Sequence, residues 1–244
     1  MTMKNITAKI KHFHPVCDEA LYAMLSEMTV MHCPKNTTIV HSGRIDRNVY
    51  FVEEGVARSV FHKDGVDTTT WFSMEGDITF GMHSLYYNTP SLESIETVTD
   101  CVIYKIPIDV LNALYEKYID IANWGRIVHQ ECNMLLSLIF VERLQLSPQE
   151  RYERFLERYP GLLNRVKLKY IAEFLGVTIY TLSRIRSKRL FFAPKQISKS
   201  KVVLILHKTI LHTKNKTECK KTQFHRPGLP MQSRIMSCST ACVA

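Results

Sequence analysis

The sequence predicts an α+β fold in which an antiparallel sandwich, roll or barrel is followed by a long helix and a basic helical module. Three observations indicate this arrangement. Residues 37–106 alternate short β-branched and aromatic runs with glycine turns, residues 119–144 have helical periodicity, and the charge changes sign near residue 143. The chain of 244 residues is long enough for one large domain or two small ones.

The β-rich part is predicted from short runs that are separated by turn residues. The predicted strands cover residues 37–40, 49–52, 57–61, 68–72 and 97–106. The dipeptide Asp64-Gly65 between two of these runs is typical of a tight β-hairpin turn. Short helices are predicted on either side of the strands, over residues 16–29 and 108–117.

A much longer helix is predicted from about Ile119 to Leu144. Apolar side chains spaced three and four apart form one stripe along it: Ile121, Trp124, Val128, Cys132, Leu135 and Ile139. Such a stripe either packs on the β-rich part or forms a seam with a second copy of the chain. A dimer seam formed by Trp124, Val128, Cys132, Leu135 and Ile139 is our expectation.

The charge is divided unevenly along the chain. Residues 1–142 hold 11 basic and 18 acidic residues, residues 143–190 hold 11 and 4, and residues 191–244 hold 10 and 1. The three net charges of −7, +7 and +9 sum to the +9 of the whole chain. A basic module attached to an acidic body favours nucleic-acid binding, with a solvated basic face as the alternative.

Several classes of protein are disfavoured by residues that are missing. The seven cysteines are scattered, which favours a reducing cytoplasm over a disulfide framework. We find no metal-binding spacing, no nucleophile–base pair and no glycine-rich phosphate loop, so we expect no metal, no cofactor and no enzymatic activity. Neither a signal peptide nor a membrane-spanning run is predicted.

The basic module begins with a clear helix start and continues with a characteristic pair of helices. Ser147-Pro148-Gln149-Glu150 is a capping box with proline at the first helical position. Further on, Ala172 and Gly176 allow two helices to cross closely, and Thr178 can cap the second helix. The inner face of this pair is apolar: Ile171, Leu175, Val177, Leu182 and Ile185.

The outer face of the second helix has the side chains expected of a helix that enters the major groove of DNA. The predicted DNA-binding residues are Thr178, Ile179, Tyr180, Thr181, Ser183, Arg184, Arg186 and Lys188. Arg184 is the best candidate for reading guanine. The alternative is an ordinary helical hairpin in a protein-interaction or ligand-sensing module, which the exposed apolar pair Ile179 and Tyr180 would suit.

Over residues 16–189 the chain resembles the Crp/Fnr family of bacterial transcription regulators. The resemblance rests on residues 39–43, 49–55 and 75–81, on the long helix, and on Leu182-Ser183-Arg184-Ile185. It implies a cyclic-nucleotide-binding-type β-roll (a double-stranded β-helix), dimerisation through the long helix and a C-terminal helix-turn-helix. The implied partners are double-stranded DNA and a second copy of the chain, with RNA polymerase as a further candidate, in the cytoplasm and without a membrane.

The sequence departs from this family where its members hold cyclic AMP. The expected effector pocket comprises Phe80, Gly81, Met82, His83, Ser84, Ser91 and Leu92. The family's Glu is missing after Phe80-Gly81, Ser91 falls where its Arg is expected, and no Lys or Arg occurs between Lys63 and Lys105. A cyclic phosphate would lack its bidentate guanidinium partner, so we expect a different, unidentified effector.

The predicted organisation is a sensor roll over residues 1–118, a dimerisation helix over 119–144, a DNA-binding module over 145–190 and a basic tail over 191–244. The tail does not resemble the family. Its composition predicts either a disordered arm that adds non-specific DNA affinity or an aberrant extension, such as a frameshifted end.

Overall fold

The computed structural model describes residues 3–191, and the side chains of residues 3–187. Eight helices are present in this part of the chain: α1 Lys4–Phe13, α2 Asp18–Ser26, α3 Met82–Tyr87, α4 Ile108–Lys117, α5 Ile119–Gln145, α6 Pro148–Arg158, α7 Leu168–Leu175 and α8 Ile179–Phe191. A 3₁₀ turn lies at Leu162–Asn164. The predicted basic tail falls outside the described residues, apart from Phe191.

Eight strands form two four-stranded antiparallel sheets. They are β1 Thr29–Cys33, β2 Thr38–Val40, β3 Asn48–Glu54, β4 Ala57–Lys63, β5 Val66–Ser73, β6 Ile78–Thr79, β7 Glu93–Thr97 and β8 Cys101–Pro107. One sheet has the order β1-β8-β3-β6 and the other β2-β7-β4-β5. Small apolar side chains from both sheets, among them Val40, Ala57 and Ile103, form the interior of a β-roll.

The hairpin between β4 and β5 follows the predicted turn. Asp64 and Gly65 both have positive φ, at 51° and 75°, and Lys63 pairs with Val66 across the turn. Two positive φ values are what a two-residue turn between twisted strands requires. The prediction of a hairpin at this dipeptide is therefore confirmed.

The prediction of a single strand over residues 97–106 is wrong. Strand β7 ends at Thr97, and β8 begins at Cys101 in the other sheet. The polar side chains of the connection bond to segments that are distant in sequence, in place of strand pairing: Thr99 Oγ1 accepts from the Val56 amide, and Asp100 accepts from the Lys35 amide.

One face of the roll is covered by α1, α2, α4 and the first turns of α5. Ile6 and Ile10 of α1 are buried there with Phe51 of β3 and Trp124 of α5. The Glu53 carboxylate accepts hydrogen bonds from the amides of Asn5 and Ile6, at 2.9 and 3.0 Å. A carboxylate at a helix N-terminus satisfies amides that have no partner within the helix, so Glu53 fixes the start of α1.

A second cluster joins the roll to the helices that follow α5. Phe72 of β5 contacts three aromatic side chains, with ring centroids 6.2 Å from Phe155, 6.2 Å from Tyr159 and 5.6 Å from Phe174. All four side chains are buried. The helical module is therefore packed on the roll by apolar burial, as well as being connected to it through α5.

None of the helices in the described part of the chain combines the length and the apolarity needed to span a bilayer.

Candidate nucleic-acid interface and effector pocket

The region between α7 and α8 is a tight turn centred on Gly176. This residue has φ +65° and ψ +41°, and its amide donates to the carbonyl groups of Ala172 and Glu173. The Val177 amide also donates to the Ala172 carbonyl, at 3.0 Å. Glycine adopts this left-handed conformation at no steric cost because it has no Cβ, so Gly176 ends α7 and lets the chain reverse.

Thr178 caps the start of α8, as the sequence predicts. Its hydroxyl oxygen accepts from the Thr181 amide at 3.1 Å and lies 2.9 Å from the Thr181 hydroxyl. Between the two helices, Ile171, Ala172, Leu175 and Leu182 are buried. Val177 and Ile185 are half-buried against the same cluster. The apolar inner face therefore lies where its spacing indicates.

The predicted DNA-contacting side chains are on the outer surface of this helix pair. Thr178, Ile179, Tyr180, Ser183, Arg184 and Arg186 are exposed, and Thr181 is half-buried. Tyr180 is 83% exposed and Ile179 43% exposed, although both are large. The side chain of Lys188 lies outside the described residues.

The residues predicted as an effector pocket meet where α3 follows β6. A Cβ built on Gly81 would lie only 2.8 Å from Ser91 Oγ, which shows how closely the two segments approach. Ser84 and Ser91 are buried, whereas Met82 and Leu92 are exposed. His83 is half-buried, and its Nδ1 has no hydrogen-bond partner among the described residues. Phe80, also half-buried, stacks edge-on against Tyr86.

Glu93 is the residue of this pocket that the sequence analysis missed. It is 5% exposed, and its carboxylate accepts from the Met82 amide at 2.8 Å. Ser91 Oγ donates to the Glu93 carbonyl at 2.9 Å. An acidic residue two positions after Ser91 was the available signal. The amide that could meet an anion at the start of α3 is thus already bonded to a carboxylate.

The apolar stripe of α5 is covered differently along its length. Trp124 is 2% exposed and stacks on Phe51, with ring centroids 6.2 Å apart. This corrects the expectation that Trp124 is part of a dimer seam, because the roll already covers it. Val128 is half-buried against the cluster of Ile6, Phe51 and Trp124, and Ile139 against the cluster of Phe72 and Phe155.

Several exposed apolar side chains of α5 form a face beside the predicted seam. Leu136, Phe140 and Leu144 are 43%, 62% and 70% exposed, and Cys132 is exposed too. They are spaced four apart, so they share one helix face. Leu135 of the predicted seam is half-buried at the edge of this face.

Within the described residues, no group of three or more His, Cys, Asp or Glu side chains is arranged to hold a metal ion. The four described cysteines, Cys17, Cys33, Cys101 and Cys132, are all free. Burial raises the pKa of the Cys33 and Cys101 thiols, so both are poor nucleophiles and poor ligands near neutral pH.

Comparison with known proteins agrees with this architecture. Residues 30–118 match the family model described as the cyclic nucleotide-binding domain. No curated protein sequence matches the chain. The similarity to this family model therefore covers the roll and α4 and ends before the long helix α5.

Solved structures share the fold at low sequence identity. FixK2 from Bradyrhizobium japonicum is 18% identical with a TM-score of 0.59, covering 72% of this chain and 95% of its own. The c-di-GMP-responsive global regulator CLP from Xanthomonas campestris is 16% identical with a TM-score of 0.56, covering 74% and 97%.

A transcriptional regulator of the Crp/Fnr family from Eubacterium rectale is 15% identical with a TM-score of 0.56, covering 77% and 92%. The described chain thus has a cyclic nucleotide-binding-type β-roll and a long helix, in the fold of bacterial regulators of the Crp/Fnr type.

Proposed function

We propose that the protein is a dimeric, effector-responsive transcription regulator of the Crp/Fnr type that binds double-stranded DNA and has no enzymatic activity. The observation that carries this proposal is the α7–α8 pair. Its capped second helix exposes Ser183, Arg184 and Arg186 on a module with a net charge of +7 over residues 143–190. Positive side chains neutralise phosphates, while exposed polar groups read base edges.

The experiment is selection of genomic DNA fragments by the full chain, followed by affinity measurements at two salt concentrations. We expect a selected fragment to bind more tightly than random DNA at both. Arg184→Ala should weaken binding to that fragment by about 5- to 150-fold, because a bidentate arginine–guanine contact is lost. Binding to random DNA should change far less, because phosphate contacts dominate it.

Arg126→Ala is the matched control, since Arg126 is an exposed arginine of α5, outside the α7–α8 pair. Its affinity for the selected fragment should equal that of the parent protein. Cooperative unfolding shows that the protein used is folded. If such a protein selected no fragment above the level of random DNA, the proposal would be contradicted.

We further propose that cyclic AMP is not the effector. Ser91 provides no cation, and the buried Glu93 carboxylate occupies the Met82 amide. A cyclic phosphate at this position would meet a negative charge where it needs a positive one. Arg44 lies next to Ser91, but it contacts Ser91 through its backbone carbonyl oxygen, which accepts from the Ser91 amide. Its side chain is exposed.

Thermal unfolding with millimolar cyclic AMP checks this second proposal. A ligand that binds only the folded protein raises the unfolding temperature in a concentration-dependent way. We expect no shift, and a saturable rise in the unfolding temperature would contradict the proposal.

A second candidate function is a protein-interaction or ligand-sensing module whose helix pair does not read DNA. The exposed Ile179 and Tyr180 favour it, since adjacent apolar side chains suit a protein interface. The Arg184→Ala comparison separates the candidates, because only the DNA-binding function requires a change in fragment selectivity.

A further inference from the structure

A small recess lies where α5, α6 and α7 meet, and arginines form much of its lining. Arg143 comes from α5, and Arg151 and Arg158 come from α6. Among the described residues that line the recess, Glu142 is the single acidic one, and it is paired with Arg158 at 2.8 Å. The guanidinium groups of Arg143 and Arg151 are therefore left without a negative partner in the recess.

Arg143 is held in place by the end of α7. Its Nη2 donates to the Phe174 carbonyl oxygen at 2.6 Å. A cation suits this position, because the last carbonyl groups of a helix carry partial negative charge. Partial burial and the nearby positive charge of Arg151 lower the pKa of Arg143. Both guanidinium groups still stay protonated near neutral pH, so two like charges face the same recess.

Arg151 makes no hydrogen bond with any described residue. Its Nε is buried without a partner and is out of reach of a ligand, but its two terminal nitrogens are not buried. A Cβ built on Gly176 would lie 3.6 Å from Arg151 Nη1. The free end of this guanidinium is therefore next to the turn between α7 and α8, where it can meet a group that arrives from solvent.

That turn leads directly into the helix that is proposed to read DNA. Gly176 comes two residues before the cap Thr178, and both are exposed. The major groove is about 12 Å wide, and an α-helix with its side chains is about 10–12 Å across. A helix that enters the groove by its N-terminus therefore brings the turn before it close to the phosphates at the groove edge.

The size of the recess favours a phosphate that belongs to a nucleic-acid strand. Its volume is about 10 Å³, which is roughly the space that one water molecule needs. It cannot enclose a free phosphate ion, but one unesterified oxygen of a phosphodiester can reach it from outside. Guanidinium groups bind phosphate oxygens through strong, charge-assisted hydrogen bonds.

We propose that Arg143 and Arg151 form a clamp for one backbone phosphate of DNA, beside the turn that precedes α8. The clamp neutralises a phosphate without reading a base, so it adds affinity and fixes register, whereas Arg184 adds selectivity. This inference rests on the proposed DNA-binding function. Its test uses random DNA as well as a selected fragment, so that the two can fail separately.

Arg151→Ala in the full chain is the decisive variant, because its guanidinium has no hydrogen bond within the described fold to lose. It should weaken binding to a selected fragment and to random DNA by the same factor, about fivefold to tenfold at 0.1 M salt. The slope of log affinity against log salt should fall in magnitude by about 1. Arg151→Lys keeps the charge and should restore most of that slope.

Duplexes that carry one neutral methylphosphonate at successive backbone positions locate the contact. One such substitution should weaken binding by the parent protein and leave the affinity of Arg151→Ala unchanged, because that variant has already lost the contact. Arg126→Ala is the charge-matched control, since Arg126 is exposed and lies about 25 Å from Arg143 along the axis of α5. Its salt slope should equal that of the parent.

Two results would overturn the clamp even if the parent protein selected a fragment. The first is an Arg151→Ala variant with the affinity and salt slope of the parent on both kinds of DNA. The second is a loss confined to the selected fragment, because it would indicate base reading. If the parent bound random DNA but selected no fragment, the regulatory function would fail while the salt slopes still decided the clamp. Absence of all DNA binding would overturn both.

Discussion

Glu75 of the roll forms an ion pair with Arg165 of the helical module. Both terminal guanidinium nitrogens of Arg165 donate to the Glu75 carboxylate, and the Gly55 amide donates to the same group at 3.0 Å. Burial raises the pKa of Glu75, but these hydrogen bonds outweigh it and hold the pKa below the usual 4.5. Folding therefore favours the ionised carboxylate.

A pH dependence of stability follows from this shift. The folded-state pKa is depressed, so the stabilising contribution is fully present above the unfolded-state pKa, near 4.5, and is lost as pH falls through the lower folded-state value. Glu75→Gln should reduce the free energy of unfolding by about 1 kcal/mol at pH 7. The difference between parent and variant should shrink steadily below pH 5.

Urea unfolding at pH 7, 5 and 3.5 measures this difference. Glu54→Gln is the control, because Glu54 is exposed and takes part in none of the described ion pairs. A difference between parent and Glu75→Gln that stayed constant over this range would contradict a depressed pKa for Glu75.

Among the elements, β4, β5 and β7 are joined to α7 by one buried arginine. Arg58 is 4% exposed, and its guanidinium donates to Thr69, Glu96 and Glu173 at 2.8, 3.0 and 3.1 Å. It also lies over the ring of Tyr170, 3.7 Å from the ring centroid. These contacts fix how α7, the first helix of the α7–α8 pair, lies against the roll.

Arg58→Ala should reduce the free energy of unfolding by about 3 kcal/mol, because it leaves the half-buried Glu96 without its positive partner and Glu173 with only the more distant Lys169, at 3.8 Å. Glu173 would suffer most, since its side chain is only 11% exposed. Urea unfolding at pH 7 checks this, with hydrogen exchange of the α7 amides as a local measurement.

The exposed Arg126 offers a control of the same residue type, and Arg126→Ala should change stability by less than about 0.5 kcal/mol. If Arg58→Ala cost no more than this control, the buried arginine would not be what joins these elements.

Local sequence predicted some elements closely and missed others for a physical reason. Helix α4 spans Ile108–Lys117 and α6 begins at Pro148, both as predicted, because their periodicity and capping residues are local. Helix α1 was not predicted, because it has only two buried side chains and its first amides are bonded to the distant Glu53. Such a long-range partner leaves no pattern in the segment itself.

The candidate sites show the same limit. The outer face of α8 could be predicted because capping and helical spacing decide which side chains point away from α7. Which neighbour packs on each part of α5 could not be predicted, because helical periodicity indicates an apolar stripe but does not identify its partner. Trp124 packs on the roll, whereas the side chains of Leu136 and Phe140 are exposed.

At the scale of the whole molecule, α5 offers a surface through which two copies of the proposed dimer would associate. Helix α5 has an exposed apolar face that is formed by side chains spaced four residues apart, Leu136, Phe140 and Leu144. A second copy is the occupant that best suits this face, because a long helix can pair with itself about a twofold axis. Two DNA-reading helices would then address two half-sites.

Phe140→Glu should convert the protein to a monomer, because two carboxylates would be brought together in an apolar seam without partners. The fold of each copy should be retained, since Phe140 is 62% exposed. Sedimentation at micromolar concentration measures the oligomeric state, and urea unfolding followed across concentrations reports its contribution to stability.

Gln130→Glu introduces the same charge at an exposed polar position of α5 and should leave the dimer intact. A parent protein that sediments as a monomer, or a Phe140→Glu variant that remains dimeric, would contradict this seam. The monomer should also lose affinity for a selected two-half-site fragment while retaining salt-dependent binding to random DNA, because each copy keeps its own phosphate contacts.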